Sequence, residues 1–164
     1  MCNCLVMLVS ASLMWVKKWG MRMQIVEVIT AFLRRKGNVL LLQRSADVGT
    51  YQGCWAAVSG HLEGDSPLER AYVEIEEETG LLPKHLRLVT HTEPVEIVDH
   101  VIMRHWRIYP FLFEVTPDAP QIKTDWEHQD WRWVEPGELK HFATVPRLVE
   151  TLETCLEQEQ HGGN

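Results

Sequence analysis

Residues 60–81, GHLEGDSPLERAYVEIEEETGL, hold most of the charge and the clearest structural signals of this 164-residue chain. Between 60 and 80, seven acids (Glu63, Asp65, Glu69, Glu74, Glu76, Glu77 and Glu78) stand against one base, Arg70. The segment therefore carries −6 of the formal −7. Ser66-Pro67-Leu68-Glu69 has the form of a capping box, with Ser as N-cap, Pro at the first helical position and Glu at the third. Gly80 supplies the C-terminal stop, with Pro83 just beyond it. Between these signals Leu68, Ala71, Tyr72 and Ile75 recur at helical spacing and make one apolar stripe. The stretch predicts a capped helix entered through a glycine-containing loop.

The helical period sorts the acids. At about 100° per residue from Leu68, Glu77, Glu74 and Glu78 fall near 180°, 240° and 280°, beside the stripe. Glu69 and Glu76 fall near ~100° and ~80°, on the opposite flank. Glu74 with Glu78, and Glu74 with Glu77, are like-charge pairs that each cost an uncompensated helix about 0.2–0.5 kcal/mol. Arg70, one turn before Glu74, offsets part of this. The plain reading of such a run is a solvated helix face. A hard divalent cation is the other reading: Mg²⁺ is commonly held by one or two carboxylates plus substrate phosphates.

Working outward, Gln24–Arg35 is rich in β-branched residues and reads as a strand. Lys36-Gly37-Asn38 turns the chain into Val39–Gln43 (VLLLQ), an apolar run suited to a buried strand, and the pair suggests a hairpin. Gly49–Gly60 is a glycine-punctuated loop leading into a short strand around Trp55–Val58. Leu86–Thr92, Val95–Val98, Val101–Val115 and Trp131–Val134 read as further strands. Thr144–Glu159 has helical periodicity through Val145, Leu148, Val149, Leu152, Cys155 and Leu156. Strands, a helix, more strands and a last helix make an α+β domain with a central sheet flanked by helices.

Composition narrows the function. The acidic balance argues against a dedicated binder of long nucleic acid, which needs clustered Lys and Arg. The four cysteines (Cys2, Cys4, Cys54, Cys155) show neither zinc spacing nor a disulfide framework, so free thiols in a reducing cytosol are expected. The apolar run Leu5–Val16 is too short to span a bilayer as a helix, and its basic residues, Lys17 and Lys18, follow rather than precede it. Residues 1–22 are read as a leader outside the domain, with the compact domain at 23–160 and no stable membrane insertion. Oligomeric state stays open, a homodimer included.

Segment 60–81 resembles the signature of the Nudix hydrolase family: Gly, five residues, Glu, seven residues, then Arg-Glu-apolar-x-Glu-Glu-x-Gly-apolar. The second half is matched by Val73-Glu74-Ile75-Glu76-Glu77-Glu78-Thr79-Gly80-Leu81. The first half is matched by Gly60-His61-Leu62-Glu63-Gly64-Asp65. The resemblance continues in Leu40–Arg44, Trp55–Gly60, Glu127-His128, Trp131–Val134 and Glu138-Leu139, and covers roughly residues 24–157. It implies an α/β/α sandwich around a mixed β-sheet. It also implies Mg²⁺- or Mn²⁺-dependent hydrolysis of a diphosphate linkage in a nucleotide or similar small molecule.

By the same resemblance Glu74 and Glu78 would bind metal, and Glu77 would be a further ligand or activate water. The Ser59 carbonyl would complete the site. Arg44 and the loop at Gly60 would meet phosphate, and Glu127 would be a general base or extra ligand. Apart from the resemblance, Trp126, beside Glu127, is a candidate to stack on a base, an exposed loop aromatic being the plainer reading. Three departures stand out. Val73 occupies the signature's Arg position, Asp65 replaces the first Glu, and the loop is one residue short. Arg70 is the candidate substitute for the missing Arg, which orients a signature carboxylate. These departures motivate an alternative: a Nudix-fold nucleotide-binding module or sensor with weak or no hydrolysis.

Overall fold

The computed structural model describes residues 23–162; the expected leader, 1–22, lies outside the described residues. The elements in chain order are β1 (Ile25–Arg35), β2 (Asn38–Arg44), β3 (Trp55–Ala56), β4 (Val58–His61) and α1 (Pro67–Thr79). A short 3₁₀ turn at Pro83–His85 leads to β5 (Leu86–His91), β6 (Val95–Asp99), β7 (Arg104–Val115) and β8 (His128–Val134). A second 3₁₀ turn (Pro136–His141) precedes α2 (Leu148–Gly162).

The sheet is organised about β1 and β7, which run parallel from Ile25 opposite His105 to Arg34 opposite Glu114. On the free edge of β1, β4 pairs with the first half and β2 with the end, both antiparallel. On the free edge of β7, β6 and β5 divide the strand in the same manner. β3 and β8 extend the sheet from β2. One parallel pairing among antiparallel ones makes the sheet mixed, as the resemblance implied. Lys36 and Gly37, with φ of 52° and 83°, close the β1–β2 hairpin; positive φ at both positions matches the turn to the strand twist.

Period-two alternation buries both faces. Ile29, Ala31 and Leu33 of β1, Leu40 and Leu42 of β2, and Phe111 and Phe113 of β7 pack under Ala71 and Ile75 of α1. Phe32, Leu41 and Leu112 point the other way, to Leu139, Leu148, Leu152 and Cys155 on the α2 side. VLLLQ is continuously apolar because its strand is covered on both sides. The result is the expected helix–sheet–helix sandwich. Helix α1 is capped as its sequence implies: Ser66 accepts from the Glu69 N–H, Glu69 accepts from the Ser66 N–H, and Gly80 ends the helix at φ 72°.

Three boundaries differ from expectation. Val101–Met103 form the β6–β7 turn rather than strand, with the Asp99 carboxylate accepting the N–H groups of Val101 and Ile102. The C-terminal helix starts at Leu148 because Val145 donates its N–H to Trp55 and Thr144 bridges to the same residue. Trp55–Val58 is not one strand: it breaks at Ala57, its halves pairing with β2 and with β1.

Candidate functional site

The splaying of β4 from β2 on one side, and of β6 from β5 on the other, leaves the first half of β1 and β7 uncovered. Val26, Val28 and Thr30 of β1, opposite in phase to the α1-facing residues, line a cavity of about 690 Å³ there. Trp106 and Ile108 of β7, Ile97 of β6 and Tyr51 from the β2–β3 loop complete an apolar and aromatic end. At the other end stand Ser59, Gly60, Glu63, Arg70, Glu74, Glu77, Arg44 and Glu127.

Helix α1 delivers Glu74 and Glu77 to this lining and Glu78 to the protein interior beside it. Glu78 is buried, at 3% exposure, and Glu74 nearly so, at 7%, whereas Glu77 is exposed on the cavity wall. The Glu78 carboxylate accepts the Ser59 N–H on Oε1 at 3.2 Å. Its Oε2 is buried without a hydrogen-bond partner. Burial holds this carboxyl well above the usual carboxylate range. The Ser59 N–H opposes that shift, while the charges of Glu74, Glu127 and Asp125 reinforce it. Burial also raises Glu74, against the pull of Arg70 and with the push of Glu77 and Glu127. Glu74, Glu77 and Glu127 on the cavity wall, with Glu78 and Asp125 close by, therefore cluster acidic groups at one end of the cavity.

Behind Glu78 sits a histidine. His128 Nε2 is 3.5 Å from Glu78 Oε2, and Nδ1 is 3.1 Å from Asp125 Oδ1. With Asp125 accepting, the ring proton sits on Nδ1 and Nε2 is left facing Glu78. Burial lowers the His128 pKa, with Asp125 opposing, which favours the neutral ring. Asp125 also accepts the Glu127 N–H at 3.1 Å, and the Glu127 carbonyl accepts from Ser45 N–H at 2.7 Å. This small network fixes the segment before β8 against the end of β2.

The donor set suits a hard divalent cation: carboxylate oxygens, one of them buried and unpartnered, gathered where their charges repel. Among the described residues, no three His, Cys, Asp or Glu side chains are drawn together tightly enough to enclose an ion alone. An open set of this kind fits a cation that keeps waters and shares a substrate's phosphates.

The other expected residues fall as follows. Arg44 lines the cavity, its Nε donating to the Thr50 carbonyl at 3.0 Å. Gly60 has an ordinary φ, and space explains it: a Cβ there would lie 1.7 Å from Glu74 Oε1. Trp126 is 67% exposed at the cavity rim. Sequence reasoning missed Asp125, Tyr51 and Trp106. Only the Asp125-x-x-His128 spacing held a local hint. The other two reach the cavity through strand pairing and a loop, which leave no sequence signal.

Residues 23–155 match the family model described as NUDIX domain. The nucleoside triphosphatase NudI of Escherichia coli O139:H28 (strain E24377A / ETEC) is 28% identical over 130 residues, 76% of this chain and 92% of that protein. Among solved structures, a C. elegans Ap4A hydrolase binary complex superposes with a TM-score of 0.68 at 20% identity. The match covers 84% of this chain and 98% of that one. A MutT NUDIX hydrolase from Burkholderia pseudomallei gives 0.63 at 25% identity, covering 79% and 97%. With the family match spanning nearly all the described residues, and the acidic helix at the mouth of the cavity, the chain belongs to the Nudix family and is a hydrolase of phosphorus-containing acid anhydrides.

Proposed function

We propose that this hydrolase is a Mg²⁺- or Mn²⁺-dependent pyrophosphohydrolase of a small nucleoside polyphosphate. The observation that carries the reading is the gathering of Glu74, Glu77 and Glu127 at the polar end of a cavity whose other end is apolar and aromatic, with Glu78 buried beside them. A bound cation would offset the carboxylate charge and polarise a phosphoryl oxygen. Glu74 and Glu78, with backbone at Ser59, are the residues to hold it. Glu77 and Glu127 are the groups to accept a proton from attacking water. Arg44 faces the polyphosphate, and Trp106 and Trp126 offer aromatic surface to a base.

Support for a nucleotide comes from the relatives, a nucleoside triphosphatase and an Ap4A hydrolase. The low count of basic residues favours a small molecule over long RNA. The free thiols Cys54 and Cys155 fit a reducing, cytoplasmic setting. A second reading, a nucleotide sensor with little turnover, is favoured by Val73, 40% exposed where the family signature has Arg. A panel of nucleoside di- and triphosphates and dinucleoside polyphosphates, assayed for phosphate or pyrophosphate release, separates the two. The hydrolase reading expects at least one efficient substrate for the wild type and little gain from Val73→Arg. A large gain would favour the sensor.

A further inference from the structure

Val73 faces outward, yet Glu74 beside it is held by two residues. The Arg70 guanidinium, one helical turn upstream, donates from both Nε, at 2.8 Å, and Nη2 to the same carboxylate oxygen, Oε1. No hydrogen bond among the described residues uses Oε2. Gly60 packs against the same carboxylate, so close that a Cβ would sit 1.7 Å from Oε1, 2.0 Å from Cδ and 2.4 Å from Cγ.

This is unlike an ordinary helix-surface ion pair. The two side chains are 20% and 9% exposed, and both residues line the cavity. Arg70 is also near enough to Glu63 and Glu77 to feel their charge, but its hydrogen bonds go to the buried acid alone. Two guanidinium donors converging on Oε1 hold that oxygen in place and leave Oε2 free, an arrangement the compact ammonium of a lysine does not reproduce.

We propose that Arg70 and Gly60 form a clamp that orients Glu74 for cation binding. In it Arg70 performs, from one turn upstream, the orienting task of the arginine that Val73 displaces. Arg70 is thus a positioning residue, acting through Glu74. The inference rests on the divalent-cation reading of the site.

The test is Mn²⁺ binding to the substrate-free protein, followed by electron paramagnetic resonance, for wild type, Arg70→Lys, Arg70→Ala and Gly60→Ala. Circular dichroism and thermal melting report folding. Partners that orient metal ligands typically change affinity or activity by about 10–100-fold when lost. The clamp therefore predicts Mn²⁺ binding at least ~10-fold weaker in all three variants, Arg70→Lys included, with folding retained. In turnover it predicts a fall in kcat with little change in KM, and partial recovery of Arg70→Ala by millimolar guanidinium. If Arg70→Lys bound Mn²⁺ like wild type, only charge would matter, and the clamp would be refuted. Tighter binding by Arg70→Ala would also refute it, making Arg70 a competitor of the cation. Should Arg70→Ala or Gly60→Ala not fold, Arg70→Lys decides alone. A wild type that bound no Mn²⁺ would overturn the cation reading itself, and the clamp with it.

Discussion

Glu78 keeps a carboxylate almost wholly out of water with one oxygen unpartnered, an arrangement that costs stability in the metal-free protein. An amide of the same shape carries no charge at any pH. Its oxygen can still accept from Ser59, and its NH₂ can donate to the His128 Nε2 that faces it. Glu78→Gln is therefore expected to stabilise the metal-free fold by about 1–3 kcal/mol, the usual penalty of an unsatisfied buried polar group. The check is a pair of urea titrations in the presence of a chelator. A destabilised variant would mean that Glu78 is satisfied as it stands. Stability gained where activity is lost is the usual mark of a functional group kept at structural cost.

Among the elements, the clearest ties are polar ones placed where packing is thin. Arg34 of β1 donates Nε to Glu114 of β7 at 2.7 Å, and grips Glu159 of α2 with both terminal nitrogens at 2.7 and 2.8 Å. It thereby pins the last turns of α2 to the sheet. Arg34→Ala is expected to cost on the order of 1–2 kcal/mol, kept modest because water screens the partly exposed Glu159. The Arg34 hydrogen bond holds Glu159 below its ordinary pKa. This stabilisation is present above the ordinary carboxylate value and is lost as pH falls through the depressed one. Wild type should therefore lose more stability than Arg34→Ala between neutral and strongly acidic pH; equal losses would show the pair to be inert. At the cavity's other end, Tyr51, at φ 51°, donates its hydroxyl to Asp99 at 2.8 Å and joins the β2–β3 loop to the β6–β7 turn. Burial, then this bond, pushes the hydroxyl up to about 12, so it remains a donor throughout the working range. Tyr51→Phe is expected to raise KM for a nucleotide substrate several-fold while leaving Mn²⁺ affinity unchanged. A change in Mn²⁺ affinity would place Tyr51 with the acids instead.

For the molecule as a whole, what was legible in the sequence was local. The Ser66–Glu69 box, the Gly80 stop and the helical phase of Glu74, Glu77 and Glu78 depend on neighbours within a few residues, and each appears as read. The buried VLLLQ strand was legible because two covered faces demand unbroken apolarity. The aromatic wall was not. Trp106 reaches the cavity through the pairing of β7 with β1 and β6, contacts whose partners are distant in the chain. Val101–Met103 misled because an apolar run at an exposed turn has the composition of a strand. His128, named in the sequence only beside Glu127, faces Glu78 and Asp125. The charge concentrated in residues 60–80 now has a destination, since its buried members converge with Glu127 on one side of one cavity. The most direct test is release of phosphate or pyrophosphate from a nucleoside polyphosphate, with Mg²⁺ or with chelator, by wild type, Glu77→Gln and Glu78→Gln. Turnover by wild type only with Mg²⁺, and losses of at least ~10²-fold in both variants, are expected. Turnover that survived both substitutions, or was indifferent to the chelator, would contradict cation-dependent hydrolysis by these acids.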